Sequence, residues 1–195
     1  MFALVTTAAL MRDHAHDPSR NIVILTGAGV SDESSLATFR GPRGLWEGTK
    51  AMKPAYLHLR PNEDLPPIPR RSSRIVIVAD EVVCDAWMDK VAAWLVQAGC
   101  LYAVAWGTAC EAWHDSVDRA ALEACNHADS PNEQFVMTTW HATESLADAF
   151  WFAAQCAFHP TVDLVATIIV HIAYEGRAQE VLKIFADRQD LAGDA

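Results

Sequence analysis

Residues 74–107 read RIVIVADEVVCDAWMDKVAAWLVQAGCLYAVAWG, and this stretch decides the fold. It opens with a short apolar run, Ile75 to Ala79, that is rich in β-branched residues and predicts a buried strand. A helix is predicted next, from about residue 85 to 98, and Gly99 ends it. Its apolar side chains recur with helical spacing at Trp87, Val91, Trp94 and Leu95.

The same alternation of strand and helix continues along the rest of the chain. Further strands are predicted at 101–106, 135–139 and 165–172, and further helices at 110–125, 145–158 and 176–187. Strands that are apolar on both faces and alternate with helices form a parallel sheet covered by helices. Residues 75–195 are therefore predicted to form an α/β domain of four parallel βα units in three layers, with a flavodoxin-like or Rossmann-like plan.

The segment before this domain has a different composition. Between residues 49 and 74 the prolines are Pro54, Pro61, Pro66, Pro67 and Pro69. Proline removes a backbone donor and favours extended chain. We therefore predict a linker at 49–74 that joins a separate segment, 1–48, to the domain. Proteases are expected to cut this linker and to leave the fragment 75–195 folded.

The net charge of the chain limits which classes of molecule it is expected to bind. The chain has 15 Lys and Arg against 25 Asp and Glu, and the excess of acid lies in residues 75–195, whose balance is −13 against +3 for residues 1–74. An acidic surface repels phosphate backbones, so nucleic acid is not expected as a partner. No apolar run is long enough to span a bilayer, so no membrane partner is expected either, and a protein partner stays undefined.

The cysteines and the start of the chain indicate a compartment. Five widely spaced cysteines without a Cys-x-x-Cys pair do not form a disulfide framework or a zinc knuckle. The apolar segment Met1–Leu10 has no preceding Lys or Arg and no cleavage site of small residues, so an amphipathic helix is expected rather than a signal peptide. We therefore expect a cytoplasmic protein.

A glycine loop follows a short strand pattern, Asn21 to Thr26, near the start of the chain. Glycines 27 and 29 let the backbone approach a phosphate closely, and the helix predicted after them favours an anion at its N-terminus. Gly-x-Gly alone is common at turns between strands and helices. The continuation is more specific: Gly27-Ala28-Gly29-Val30-Ser31-x-x-Ser34, then Thr38-Phe39-Arg40-Gly41, then Gly44-Leu45-Trp46.

This pattern resembles the first NAD-binding motif of the sirtuin family, NAD-dependent protein deacylases with a Rossmann-like core. The resemblance covers about residues 1–46 and implies a truncated sirtuin-like segment that binds NAD. It implies that the pyrophosphate and ribose are lined by Gly27, Ala28, Gly29 and Ser31. It also implies that Phe39 lies against the nicotinamide side and that Arg40 contacts the ribose and phosphate. Ser35 and Ala37 depart from the glycine and proline that are usual in the family.

The other sirtuin motifs are missing from this sequence. It has no Gln-Asn-x-Asp strand end, no catalytic His-Gly, no paired Cys-x-x-Cys and no Gly-Thr-Ser loop; Gly107-Thr108-Ala109 comes nearest to the last. Without a histidine to activate the ribose hydroxyl, deacylation has no evident route, and zinc is not expected. Two hypotheses therefore remain. Either the chain binds NAD or a related nucleotide without deacylation, or the N-terminal segment is vestigial and the α/β domain is a ligand-binding or interaction module.

Polar residues follow the predicted strands of the α/β domain. In an open parallel sheet, ligands bind outside the carboxyl ends of the strands. Those ends carry two acids, two tryptophans and two histidines: Asp80, Glu81, Trp106, Trp140, His141 and His171. We predict a small-molecule site there, with His141 as an acid–base residue oriented by Asp80, and His171 as a further candidate. The alternative is that these polar groups only cap the helices that follow.

One predicted helix carries a second group of polar residues, Cys110, His114, Asp115 and Asp118, in which two pairs are four residues apart. Such spacing can present metal ligands, but it also occurs in ordinary His–Asp pairs on helix surfaces, and no second ligand pair is evident. We therefore predict no metal site. The stretches 135–141 and 157–160 resemble a small bacterial α/β family without an assigned function, which implies no particular chemistry.

Overall fold

A computed structural model describes residues 53–125 and 132–190 of the chain. Within these residues, strands and helices alternate in the order β1 (Ala55–Leu59), β2 (Ser73–Ala79), α1 (Asp85–Gln97), β3 (Cys100–Gly107), α2 (Cys110–Ala124), β4 (Met137–His141), α3 (Leu146–Gln155), β5 (Ala166–Ile172) and α4 (Ala178–Asp190). The predicted α/β fold is confirmed: the described strands form one parallel sheet, in the order β1-β5-β2-β3-β4, with helices on both faces.

Strand β2 lies in the middle of the sheet because its side chains are apolar on both faces. Ile75 and Ile77 pack against α1 and α2, and Val76 and Val78 pack against α3 and α4. All four side chains are fully buried. Two apolar cores, one on each face, therefore share this strand, as expected for a three-layer domain.

Two helix boundaries lie where the sequence predicts them, and one strand boundary does not. Ser145 caps α3 by accepting a hydrogen bond from the backbone of Asp148. Gly99 follows α1 with a φ of 91°, a left-handed conformation that favours glycine. Strand β4 differs from the prediction: it covers Met137–His141 rather than 135–139, so His141 lies inside the strand and not beyond its end.

The predicted linker is wrong in part, because residues 55–59 form strand β1. This strand pairs in parallel with β5 over its full length, from Ala55 opposite Ile168 to Leu59 opposite Ile172. Leu59 is buried in the core. The sheet therefore has five strands within the described residues, rather than four, and the domain begins before residue 75.

The chain between β1 and β2 also packs on the domain. The indole N–H of Trp87 donates to the carbonyl of Glu63 at 3.0 Å, and that of Trp94 donates to the carbonyl of Pro66 at 3.1 Å. Both tryptophans lie on α1, so this helix anchors the proline-rich segment through two hydrogen bonds. Pro66, which has no backbone N–H to donate, contributes to this packing through its carbonyl oxygen.

The glycine loop and the strand predicted before it lie outside the described residues, as do all the residues proposed to contact NAD. Within residues 53–125 and 132–190, no helix is long and apolar enough to cross a membrane.

Candidate functional site

A crevice is expected between β2 and β5 at their carboxyl ends. These strands are neighbours, yet the chain leaves β2 toward α1 on one face of the sheet and leaves β5 toward α4 on the other face. Loops that diverge from adjacent parallel strands open a crevice, and ligands of open α/β sheets bind at such points. Asp80 follows β2 directly, and Arg177 lies in the loop between β5 and α4.

Asp80 and Arg177 join the two loops through a bidentate ion pair. The guanidinium Nε lies 3.0 Å from Asp80 Oδ2, and Nη2 lies 2.9 Å from Oδ1. A third guanidinium nitrogen, Nη1, contacts Glu180 at 2.8 Å. The side chain of Asp80 is 26% exposed and that of Arg177 is 35% exposed, so the pair is partly open to solvent. A pair of this geometry fixes the relative position of the two loops.

His171 lies beneath this pair and is fully buried. Its Nε2 is 2.7 Å from Asp80 Oδ2, and its Nδ1 is 2.6 Å from the hydroxyl of Tyr56 on β1. A carboxylate only accepts hydrogen bonds, so Nε2 carries the proton that is donated to Asp80. In the neutral ring, Nδ1 then accepts the proton of the Tyr56 hydroxyl. Both ring nitrogens are satisfied, which buried polar groups require.

Tyr56 completes the cluster at the edge strand. The backbone N–H of Arg177 donates to its hydroxyl oxygen at 3.2 Å. Burial raises the pKa of Tyr56, while the hydrogen bond and the charge of Arg177 act in the opposite direction. A Cβ on Gly176 would lie 3.1 Å from His58 Nδ1 and 3.5 Å from the Tyr56 hydroxyl, so the loop backbone runs directly past both rings. The cluster therefore ties β1, β2 and β5 to one loop.

A glycine brings the loop after β3 against the same edge. Gly107 has a φ of 96°, and a Cβ there would lie 2.3 Å from the carbonyl oxygen of Ala79. Thr108 donates its backbone N–H to that carbonyl at 2.7 Å, and its hydroxyl donates to the carbonyl of Asp80 at 3.3 Å. Thr108 thereby holds the backbone next to Asp80 at two successive carbonyls.

The predicted pairing of Asp80 with His141 is wrong. His171, Val78, Trp106 and His141 occupy one register row across the sheet, so His141 lies two strand spacings from β2, which Asp80 follows, and three spacings from His171. These separations amount to about 10 Å and about 14 Å. Asp80 instead contacts His171, on the adjacent strand. Four of the six predicted strand-end residues share the face covered by α3 and α4, but they divide into two groups, Asp80 with His171 and Trp106 with His141.

The second group, Trp106 and His141, is packed against neighbouring side chains and does not line an open crevice. The ring of His141 lies 4.9 Å from that of Phe152, and its Nδ1 is 3.8 Å from a carboxylate oxygen of Glu144. Its Nε2 is buried without a hydrogen-bond partner. The indole N–H of Trp106 donates to the carbonyl of Glu144 at 2.8 Å. Burial lowers the pKa of His141, and Glu144 opposes that shift.

Replacing His141 with Phe is expected to stabilise the protein at pH 7 by about 1 kcal/mol, because the substitution removes a buried unpaired nitrogen and keeps the ring contact with Phe152. Since the folded state disfavours the protonated ring, the unfolded chain binds more protons below about pH 6.5, so stability falls as the pH is lowered. The variant should lose less stability than the wild type between pH 7 and 5. Urea denaturation at several pH values measures both effects.

His114→Phe is a contrasting variant, because His114 contacts the carboxylates of Asp115 and Asp118 at 3.2 and 3.7 Å. Removing His114 should not stabilise the protein. A His141→Phe variant that is less stable than the wild type at pH 7 would contradict the prediction.

The second polar group, on α2, does not converge on one point. Cys110 is buried in the core, whereas His114 packs edge-on against Trp140 at 4.6 Å and Asp118 accepts a hydrogen bond from Thr138 at 2.7 Å. Among the residues that the structure describes, no three His, Cys, Asp or Glu side chains are grouped to hold a metal ion. The contacts join α2 to β4 and have a structural role.

A groove of about 560 Å³ lies at the opposite edge of the sheet, around Arg71, Gly99 and Val136. Gly99 and Val136 precede β3 and β4, whereas Asp80 and Arg177 follow β2 and β5. The groove is therefore separate from the charged cluster, the name used below for Asp80, Arg177, His171 and Tyr56. Ligands of parallel sheets bind at the carboxyl edge. The charged cluster is the candidate site for this reason, and its geometry can do two things: bind a small polar molecule or move a proton.

Comparison with known proteins covers both parts of the chain. Residues 54–188 match a family model described as "Domain of unknown function (DUF7684)". The chain belongs to this family. The match begins one residue before β1 and ends within α4, so all five described strands belong to the DUF7684 domain. No solved structure matches the chain.

Short matches to NAD-dependent protein deacylases support a sirtuin-like segment. A protein of Vibrio parahaemolyticus with that name is 67% identical over 30 residues, which cover 15% of this chain and 12% of the relative. "NAD-dependent protein deacylase 2" of Pyrobaculum aerophilum is 62% identical over 32 residues, 16% of this chain and 13% of the relative. A deacylase of Helicobacter pylori is 56% identical over 36 residues, 18% and 16%. The chain thus spans less than a fifth of each relative.

Two residues of the charged cluster, Tyr56 and Arg177, were not predicted from the sequence. Tyr56 lies in a strand of five residues that directly follows a proline, and such a run gives little periodicity to detect. Arg177 had a usable signal: it is one of only five Lys and Arg residues after position 74, and it stands at the start of the last predicted helix, where a cation is unfavourable without a carboxylate partner.

Proposed function

We propose that this chain binds NAD or a related nucleotide through the loop residues Gly27, Ala28, Gly29, Ser31, Phe39 and Arg40. The proposal rests on one observation, identity of 56–67% over about 30 residues to proteins named NAD-dependent protein deacylases. The glycines at 27 and 29 support it as well, because glycine allows the close approach of backbone to phosphate that such binding requires.

We infer further that the chain does not deacylate lysine. The sequence lacks the catalytic His-Gly and the cysteine pairs of the sirtuin pattern, and the DUF7684 domain occupies residues 54–188 instead. A nucleotide held without a base to activate its ribose hydroxyl is bound and not consumed. The partner is a small molecule rather than nucleic acid or a membrane, in keeping with the net charge of −10, and the cysteine spacing favours the cytoplasm.

Calorimetric titration of the full chain with NAD is expected to give binding that weakens about tenfold in Arg40→Ala, the loss of one charge-assisted contact. Arg43→Ala is the matched control, because it removes a nearby cation to which the motif gives no role. Incubation with NAD and an acetyl-lysine peptide should yield no deacetylated product. Equal affinity in the two variants, no binding by the wild type, or NAD-dependent turnover that Ser31→Ala abolishes would each count against the proposal.

A second candidate function belongs to the DUF7684 domain, which we propose binds a small polar molecule in the crevice between β2 and β5. The observation that favours it is the position of the Asp80–Arg177 pair, partly exposed at the point where the two loops diverge. A ligand with its own carboxylate or ammonium group can exchange with one partner of such a pair. This function does not depend on the glycine loop.

A further inference from the structure

Three polar side chains of the cluster form one line of hydrogen bonds from the crevice to the edge strand. Asp80 contacts Nε2 of His171 at 2.7 Å, and Nδ1 of the same ring contacts the Tyr56 hydroxyl at 2.6 Å. We propose that Tyr56, His171 and Asp80 form an acid–base triad in which the Tyr56 oxygen is the reactive atom and an acyl compound with a good leaving group is the substrate. The proposal rests on the crevice being the ligand site.

The hydrogen-bond contacts determine which atom of each triad residue carries a proton. Asp80 faces the guanidinium of Arg177 on both oxygens and therefore accepts hydrogen bonds as a carboxylate. Nε2 of His171 donates to it, which leaves the lone pair of Nδ1 directed at Tyr56. The Tyr56 oxygen accepts the backbone N–H of Arg177 and donates its own proton to Nδ1. Each hydroxyl, ring and carboxylate thus has the role that it needs before a proton is transferred.

The arrangement matches the general requirement for an activated nucleophile, a hydroxyl within hydrogen-bond reach of a base that a third group orients. His171 is fully buried, so the bonds at its two nitrogens fix the orientation of the ring. Burial raises the pKa of Tyr56, so the hydroxyl is neutral near pH 7 and needs a base before it can attack. Asp80 is a positioning residue, because it acts through His171.

The reaction balances without a cofactor. The Tyr56 oxygen attacks the carbonyl carbon of the acyl compound, its proton passes to Nδ1 of His171, and Asp80 stabilises the resulting imidazolium. The bond from the carbonyl carbon to the leaving group breaks, and the leaving group takes the proton from Nδ1. The product is an O-acyl tyrosine, which water hydrolyses by the same proton route to restore the phenol.

The test is acetylation of the full chain by 4-nitrophenyl acetate, followed by mass spectrometry of each tyrosine. Tyr174 is an internal control, since its side chain is 57% exposed and it stands outside the triad. Tyr56 should be acetylated faster than Tyr174. In His171→Gln the rate at Tyr56 should fall about a hundredfold, the usual contribution of a general base, and the rate at Tyr174 should not change. Asp80→Asn should lower the Tyr56 rate as well.

Equal rates at Tyr56 and Tyr174, or an unchanged Tyr56 rate in His171→Gln, would overturn the triad. His171→Gln changes a buried residue, so a second measurement uses the wild type. The ¹⁵N chemical shifts of the His171 ring should show a protonated Nε2 and an unprotonated Nδ1. The reverse tautomer would overturn the proposal, because Tyr56 would then be an acceptor and could not pass its proton to the ring.

A separate arm tests the crevice itself. Titration with sodium acetate, followed by ¹H–¹⁵N spectra, should shift the amide signals of Gly176 and Arg177 more than that of Arg119. Arg119 forms an exposed pair with Asp89 at 2.6 Å and serves as the control cation. Acetylation of Tyr56 without these shifts would contradict the crevice as the ligand site. Shifts without preferential acetylation would contradict the triad and leave the crevice supported.

Discussion

A fragment of residues 75–190 is expected to be largely unfolded at 25 °C, whereas a fragment of residues 53–190 should fold cooperatively. The difference between them includes strand β1, which contributes five residue pairs to the parallel ladder with β5. It also includes Leu59, which is 3% exposed in the core, and Tyr56, which contacts the buried His171. Without β1, strand β5 becomes an edge and the Nδ1 atom of His171 loses its partner.

The expected magnitude follows from these losses. One buried leucine contributes about 2 kcal/mol, and each ladder hydrogen bond about 1 kcal/mol net. Together they amount to at least about 5 kcal/mol, which is the whole stability of many domains of this size. Chemical denaturation followed by circular dichroism measures both fragments. The matched control is a fragment that starts at residue 53 and carries Leu59→Ala, which should fold with reduced stability.

The presence of strand β1 also changes where proteases are expected to cut the chain. The sequence predicts cleavage between residues 49 and 74, but residues 55–59 pair in the sheet and the carbonyls of Glu63 and Pro66 accept hydrogen bonds from α1. Backbone that is paired or anchored resists cleavage. A stable 75–190 fragment would show that β1 is dispensable and would restore the predicted boundary.

The sequence predicted the strands whose signal is local. Ile75–Ala79 and the run before Gly107 are apolar on both faces, so burial on two sides was the natural interpretation, and the sheet agrees. Strand β1 was missed because five residues are too few to show a period and because nearby prolines favour extended, unpaired chain. The pairing that makes it a strand comes from β5, more than a hundred residues later.

In the candidate site, too, the sequence predicted features with a local signal and missed those that depend on distant strands. Asp80 and His171 were predicted because each stands at or near the carboxyl end of an apolar run. The partner of Asp80 was predicted wrongly because the order of strands in a sheet does not follow their order in the sequence. Strand β5 inserts beside β2, and β4 lies at the far edge. Only this order decides which histidine lies next to Asp80.

Replacing Asp80 with Ala is expected to destabilise the protein by about 3 kcal/mol, the second large effect. The change leaves the guanidinium of Arg177 without its bidentate partner and leaves Nε2 of the fully buried His171 unpaired. Removing one member of a buried ion pair costs about 3–5 kcal/mol, and the lower end applies because the pair is partly exposed. Urea denaturation of the full chain at pH 7 measures the loss.

Two further variants separate the ion pair from the hydrogen bond to His171. Glu81→Ala removes the adjacent carboxylate, which is partly exposed, and should change stability by no more than about 0.5 kcal/mol. Asp80→Asn keeps an oxygen that can accept from Nε2 but loses the charge, so its effect should lie between those of the other two. A double-mutant cycle with Arg177→Ala should give a coupling energy of about 2 kcal/mol between positions 80 and 177.

These values decide what Asp80 does in the fold. A large loss in Asp80→Ala together with strong coupling to Arg177 means that the ion pair holds the loop after β5 against β2. A large loss with weak coupling means that the bond to His171 dominates, since that bond persists when Arg177 is absent. If Asp80→Ala costs no more than Glu81→Ala, the network does not stabilise the domain, and the close contacts among Asp80, His171 and Tyr56 then need a reason other than stability.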